Sequence, residues 1–368
     1  MTPLFDAHLD LAYNALSYGR DLTQSLTELR QRERKVCQKV AANESTPTFE
    51  EHWGTATVSL PAMRAAGIRV CLATLLARTT QENLLTSVPR RFDLDYASPE
   101  ITEAVALGQL AYYDRLQLQS HISLIRDRAD LEEAWYDRSG PIGCILSMEG
   151  CDPIVEPTDV ERWWHRGLRT ACLAHYGQGR YAFGTGGNGD LTKLGRQLLQ
   201  EFRRVGIILD LVHTAERAFF RSLDFFDGPV FVSHANCREI VPSDRQLSNE
   251  QIRSIVRRGG IIGVVLDAWM LLPGYDRRKT PRDHVKLQLL VDHIDHICQL
   301  AGNCESIGLG SDMDGGFGKE QCPHEIDTIS DLQLLDGILT RRGYASQEIE
   351  AILHGNWLRF FRKHLPAG

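Results

Sequence analysis

The chain has 368 residues, 43% of them hydrophobic and 24% charged, which supplies a sizeable core and argues against a disordered or disulfide-stapled scaffold. Lys plus Arg total 41 against 48 Asp plus Glu, a net charge of −7, so no general cationic surface faces phosphate backbones and no nucleic-acid partner is expected. There is no apolar run of about 18 residues, no basic-then-apolar leader before Asp6, and no CxxC pair among the nine cysteines, so the expectation is an untargeted, cytoplasmic chain with no membrane contact.

In chain order, short apolar runs occur at Leu4–His8, Ile68–Leu75, Ile142–Met148, Arg169–Ala174, Ile207–Val212, Val230–Ser233, Ile261–Leu266 and Ser306–Gly310. Most are continuous rather than alternating, the pattern of strands buried on both faces of a parallel sheet. Helical spacing falls between them at Ser59–Ala66, Glu100–Gln119, Asp159–His165, Thr192–Val205, Ala215–Phe226, Ser248–Arg258 and His284–Ala301. Thr192 and Ser248 read as N-caps, Ser248 with Gln251 as a capping box; Gly206, Gly259 and Gly302 read as C-caps. Eight strands alternating with helices predict a (β/α)8 TIM barrel, an α/β fold in one domain over 1–368, in preference to an open doubly wound sheet. A polar excursion at 17–58 follows the first strand, and its Arg30–Lys35 charge run reads as a solvated helix face. The segment 328–368 is helical in pattern, breaks near Gly343, and should close and cap the barrel. Cys71, Cys144 and Cys172 lie inside apolar runs and read as core residues.

The functional signal lies at the ends of the strands. His8 and Asp10 end the first, Glu149 the third, His175 the fourth, His213 the fifth, His234 the sixth and Asp312 the eighth. In a barrel these ends open onto one face, so residues distant in sequence converge on one cavity. Imidazole and carboxylate are the donors expected for Zn²⁺ and similar ions, and His8-x-Asp10 puts two on one side of a strand. Three histidines and three carboxylates suffice for two metals about 3.5–4 Å apart that share a hydroxide and a carboxylate, with Glu149 the natural bridge. A carboxylated lysine in that role lacks its residue, since the seven lysines (35, 39, 193, 279, 286, 319, 363) all lie away from the strand ends.

Six segments, DAHLD (Asp6–Asp10), SMEG (Ser147–Gly150), LAH (Leu173–His175), LDLVH (Leu209–His213), VSHANCREIVPSDRQLS (Val232–Ser248) and IGLGSDMDG (Ile307–Gly315), span most of the chain. Together, and in this order, they resemble the renal or membrane dipeptidases, binuclear zinc peptidases of the amidohydrolase type. The resemblance implies that His8 and Asp10 bind one Zn²⁺, His213 and His234 a second, and Glu149 both. It implies that His175 contacts the scissile carbonyl oxygen, that Arg245 grips the substrate's terminal carboxylate, and that Asp312 handles protons. The implied activity is hydrolysis of dipeptides by a metal-bridging hydroxide, with two zinc ions per chain; a homodimer is implied by the resemblance alone. Two alternatives stay open: another binuclear amidohydrolase acting on cyclic amides, lactones or N-acyl amino acids, and a noncatalytic metal-binding scaffold. The loop Tyr176–Asp190 lacks the tryptophan of the animal members, and with the excursion it bears on substrate preference.

Other signals are set aside. Gly184-Thr-Gly186-Gly-Asn-Gly189 matches GxGxxG but begins about ten residues after its strand, so it reads as a flexible active-site loop rather than a nucleotide cradle. Asp312-Met-Asp314-Gly315 starts like an EF-hand but lacks the acidic residue at the twelfth position and reads as a strand-end turn. His293 and His296, flanked by Asp292 and Asp295, read as a solvated helix face. Asp210 reads either as a partner orienting a metal-binding imidazole or as a buried structural acid. Trp163-Trp164 and Phe219-Phe220 read as core or interface aromatics.

Overall fold

A computed structural model describes residues 1–41, 54–79, 91 and 93–368. Eight strands form the barrel: β1 (Leu4–Leu9), β2 (Ile68–Leu76), β3 (Ile142–Glu149), β4 (Leu168–Cys172), β5 (Ile208–Asp210), β6 (Val230–Phe231), β7 (Ile262–Val264) and β8 (Ile307–Leu309). Their order runs β7-β8-β1-β2-β3-β4-β5-β6, every pairing parallel. Between β6 and β7 the ring closes on one bridge, Val232 with Ile262, carried by Val232 N to Ile261 O at 2.9 Å and Gly263 N to Val232 O at 2.8 Å. A ninth short strand, Ile122–Leu124, pairs with the start of β3. All six residues of β1 and all eight of β3 are buried, which explains why their apolar runs do not alternate.

The helix boundaries follow the expected signals with instructive shifts. Ser248 accepts from Gln251 N while Gln251 Oε1 accepts Ser248 N, and Thr192 accepts from Gly195 N. Gly206 and Gly302 take left-handed C-caps, whereas Gly259 is left-handed one residue beyond the cap Arg258. The predicted helix His284–Ala301 begins only at Gln288, because extended Val285 gives its carbonyl to His324 N. Helices Leu11–Tyr18 and Arg128–Tyr136 escape the periodicity reading, and of Leu26–Ala41 only the Arg30–Lys35 run is read as helix. Cys71, Cys144 and Cys172 are buried as expected, as is Trp163, with Trp164 packed at the core edge.

Two surface expectations need correction. His293 is fully buried and its Nδ1 accepts Cys237 N at 3.1 Å, so only His296 keeps a partly solvated position. The Arg30–Lys35 run is not simply solvated: Glu33 is buried and pairs with buried Arg20 at 2.8 Å, while Arg30 binds Ala56 O and Asp327. Arg20 also reaches Asn14 and Asp314, and Asp314 accepts from Thr57 N, Thr57 Oγ1 and Val58 N. The described parts of the 17–58 excursion are thereby stitched to the turn after β8; residues 42–53 of it lie outside the described residues.

The C-terminal segment breaks where Gly343 becomes left-handed and ends in the helix Asn356–His364. That helix closes the N-terminal mouth of the barrel. Trp357 and Phe361 pack on Phe5 and Phe231 with ring centroids 5.5–6.1 Å apart, and the Trp357 indole donates to Leu309 O at 2.9 Å. Gly308 is required here, since a Cβ on it would stand 2.2 Å from Trp357 Nε1. Among the described residues no helix is long and apolar enough to cross a membrane.

Candidate metal centre

At the opposite mouth the strand ends bring His8, Asp10, Glu149, His175, His213, His234 and Asp312 together. The β1 register slips between Asp6 and Leu9, where the Asp6 carboxylate takes the amides of His8 and Ser311 and the Ser311 hydroxyl. This pins the start of the ligand pair to the end of β8. His213 and Asp312 sit in the left-handed region, φ 56° and 57°, a strained conformation for non-glycine residues that aims their side chains inward. The Asp210 carboxylate accepts the amides of Val212 and Ser233, bracing the chain just before His213 and His234.

Glu149 is the hub. Its Oε2 lies 3.6 Å from His8 Nε2, and its Oε1 lies 3.2 Å from His213 Nε2, 3.6 Å from His234 Nε2 and 3.7 Å from His175 Nε2. His8 Nε2 is also 3.6 Å from Asp10 Oδ1 and 3.7 Å from Asp312 Oδ1. Two triads with metal-ligand spacing, His8–Asp10–Glu149 and Glu149–His213–His234, share this one carboxylate. A third grouping, His8–His234–Asp312, makes Asp312 a potential ligand as well.

The donor set fits divalent cations. His8 Nε2 is buried with no hydrogen-bond partner among the described residues, and the Nε2 atoms of His213 and His234 face each other at 3.2 Å. Burial, with Arg245 adding, pushes His213 down to about 3, and burial with His8 holds His234 well below the usual imidazole range, so both are neutral and able to ligate. Burial raises Asp312 well above the carboxylate range, and burial with Glu149 raises Asp10 to about 6. Burial would lower His8, but Glu149, Asp10 and Asp312 overcome it and hold the ring at about 10. Three carboxylates crowded out of water around one imidazolium are a site short of positive charge, which bound cations would supply. Further groups orient the ligands: Thr185 Oγ1 lies 3.1 Å from His213 Nδ1, Ser233 Oγ 2.9 Å from His234 Nδ1, and the Thr74 hydroxyl donates to Asp10.

The centre opens into a cavity of about 320 Å³, lined also by Tyr13, Arg78, Tyr176, Arg245, Asp267 and Trp269. Arg245 is buried, with Nη2 donating to His234 O at 2.9 Å and Nη1 without a partner among the described residues. The GxGxxG segment forms no nucleotide cradle; it bridges to Tyr176 and Thr214 and delivers Thr185 to His213. Sequence reasoning missed Thr185, Arg78 and Asp267. Arg78 and Asp267 follow the second and seventh strands, so extending the strand-end rule to those two strands finds both.

A model of the membrane dipeptidase family, peptidase family M19, matches residues 1–365. The chain belongs to the membrane dipeptidase family. Dipeptidase tcpJ of Claviceps purpurea is 27% identical over 67% of this chain and 58% of its own length. Dipeptidase 3 of the rat is 29% identical over 60% of this chain and 45% of its own length. The chain thus spans about half the length of these curated relatives. A metallopeptidase from Rhodobacter sphaeroides superposes with a TM-score of 0.76 at 22% identity, over 99% of both chains, and shows the same barrel. For this family member the eight-strand barrel and the six ordered segments are therefore consistent readings of one chain.

Proposed function

We propose that the protein hydrolyses the peptide bond of dipeptides with two zinc ions. The observation that carries this reading is Arg245: its buried Nη1, without a partner among the described residues, lines the same cavity as two ligand triads joined by Glu149. A buried N–H without a partner costs about 1–3 kcal/mol, and a guanidinium fork suits a carboxylate. A free carboxylate one residue beyond the scissile bond supplies that partner, and a 320 Å³ cavity suits a ligand of dipeptide size. The Rhodobacter sphaeroides protein was solved with a phosphinate mimic of the dipeptide L-Ala-D-Ala, which favours a ligand of this class.

His8 and Asp10 would hold one ion, His213 and His234 the other, and Glu149 both. When bound, the pair would activate a water as nucleophile and polarise the scissile carbonyl. The chain's own groups do the rest: Arg245 anchors the carboxylate, His175 donates to the carbonyl oxygen, and Asp312 accepts the proton of the attacking water and returns it to the leaving amine. A cytoplasmic setting belongs to the same proposal, in keeping with eight described cysteines that are free thiols.

Arg245→Ala tests the reading. It should lower kcat/KM for free dipeptides by the equivalent of about 2–5 kcal/mol and far less for dipeptide amides, with metal content unchanged. Equal losses on both substrates, or none on either, refute it.

A further inference from the structure

The site histidines do not share one pattern of ring hydrogen bonding. His213 and His234 meet hydroxyls at Nδ1, Thr185 at 3.1 Å and Ser233 at 2.9 Å. A hydroxyl can accept as well as donate, so it allows Nδ1 to keep the proton and Nε2 to offer the lone pair that a metal ligand needs. At His175 the partner is Arg78, whose Nη1 lies 3.3 Å from Nδ1. A guanidinium donates only and keeps its charge in proteins. Nδ1 of His175 is therefore the acceptor, and the ring proton sits on Nε2. That N–H lies 3.7 Å from Glu149 Oε1, beyond a good hydrogen bond, in a ring that lines the cavity.

We propose that Arg78 is a positioning residue that fixes the Nε2–H tautomer of His175, making this imidazole a hydrogen-bond donor to the substrate's carbonyl oxygen instead of a further metal ligand. Arg78 is itself held in place before any ligand arrives. Its Nε and Nη2 grip Asp95 Oδ1 and Oδ2 at 2.7 and 2.9 Å, and the Asp95 carboxylate also accepts Arg91 N at 2.6 Å. The backbone is fixed on both sides, by Arg78 N to Leu94 O at 2.9 Å and by Thr79 N to Asp152 Oδ2 at 2.8 Å. With Asp95 occupying two arms of the fork, Nη1 is the arm turned to His175. The Nδ1 partners thus differ among these three imidazoles, a pure donor at His175 and a hydroxyl at His213 and His234.

The donor role rests on the dipeptidase reading; the tautomer is readable without turnover. In metal-free protein labelled with ¹⁵N-histidine, with His175 assigned by its absence in His175→Ala, Nδ1 should be unprotonated and Nε2 protonated. Arg78→Met should lose that preference, and Arg78→Lys, which still donates, should keep it. In zinc-loaded protein Arg78→Met should lower kcat for L-Ala-L-Ala by about 10²-fold, the scale of losing one oxyanion donor, with KM and metal content nearly unchanged. Arg78→Lys should restore most of the loss. A wild-type His175 protonated on Nδ1 overturns the proposal, a result that needs no variant to fold. So does an Arg78→Met protein with unchanged tautomer and kcat while His175→Ala is impaired. If His175→Ala turns over normally, or no dipeptide is cleaved, the functional reading fails, and the spectra alone still decide whether Arg78 sets the tautomer.

Discussion

The two mouths of one barrel are built on opposite principles. At the N-terminal mouth Phe5, Phe231, Trp357 and Phe361 stack into an apolar plug with one polar atom, the Trp357 N–H, and that atom has a carbonyl partner. At the C-terminal mouth three carboxylates and four imidazoles crowd together, all buried except the partly exposed His175 and Asp312, and among the described residues His8 Nε2 and Arg245 Nη1 have no partner. Close packing stabilises the first end in the free protein. Desolvated like charges destabilise the second until ligands complete it. The comparison teaches that stability and chemistry are separated along the barrel axis, by roughly the length of a strand.

Breaking the plug should have the largest effect. Trp357→Ala should cost about 3–5 kcal/mol of stability, seen as a lowered Tm, while leaving metal stoichiometry and kcat per folded molecule as they were. A parallel loss of metal would mean that the two mouths are coupled.

The converse experiment is Glu149→Gln. Removing the charge shared by both triads should weaken zinc binding by at least about 100-fold, assayed by titration against a competing chelator. The metal-free variant should be less stable than metal-free wild type near neutral pH, because Glu149 is the leading partner that keeps the buried His8 imidazolium charged, and Gln leaves that charge without it. Tight retention of two ions would remove Glu149 from its shared position.

A smaller effect sharpens the contrast within the polar end. Burial raises Asp267 to about 7 despite donors from Gln321 and Trp269. Its folded value lies above the unfolded value of about 3.9, so its contribution is full below that value and is lost as pH rises towards 7. Tm of wild type should therefore fall more steeply than that of Asp267→Asn between pH 5 and 7, and the gap should stop growing above pH 7. Parallel curves would show that Asp267 titrates alike in the folded and unfolded chain.

Much of the site was legible in the sequence because parallel strand ends must converge: His8, Asp10, Glu149, His175, His213, His234 and Asp312 each follow an apolar run, and all seven meet. The local code also carried the caps at Thr192 and Ser248 and the break at Gly343. These features depend on neighbours within a few residues or on one topological rule. What tertiary structure alone decided are contacts across long separations. Arg78 meets His175 97 residues away, Thr185 meets His213 28 residues away, and Arg20 reaches Asp314 through the excursion. Burial of His293 and Glu33 was equally invisible, since flanking charges say nothing about what packs on top of a helix face. Periodicity reports which way a side chain points; only the assembled barrel decides what it points at, and hence its charge, its tautomer and its task.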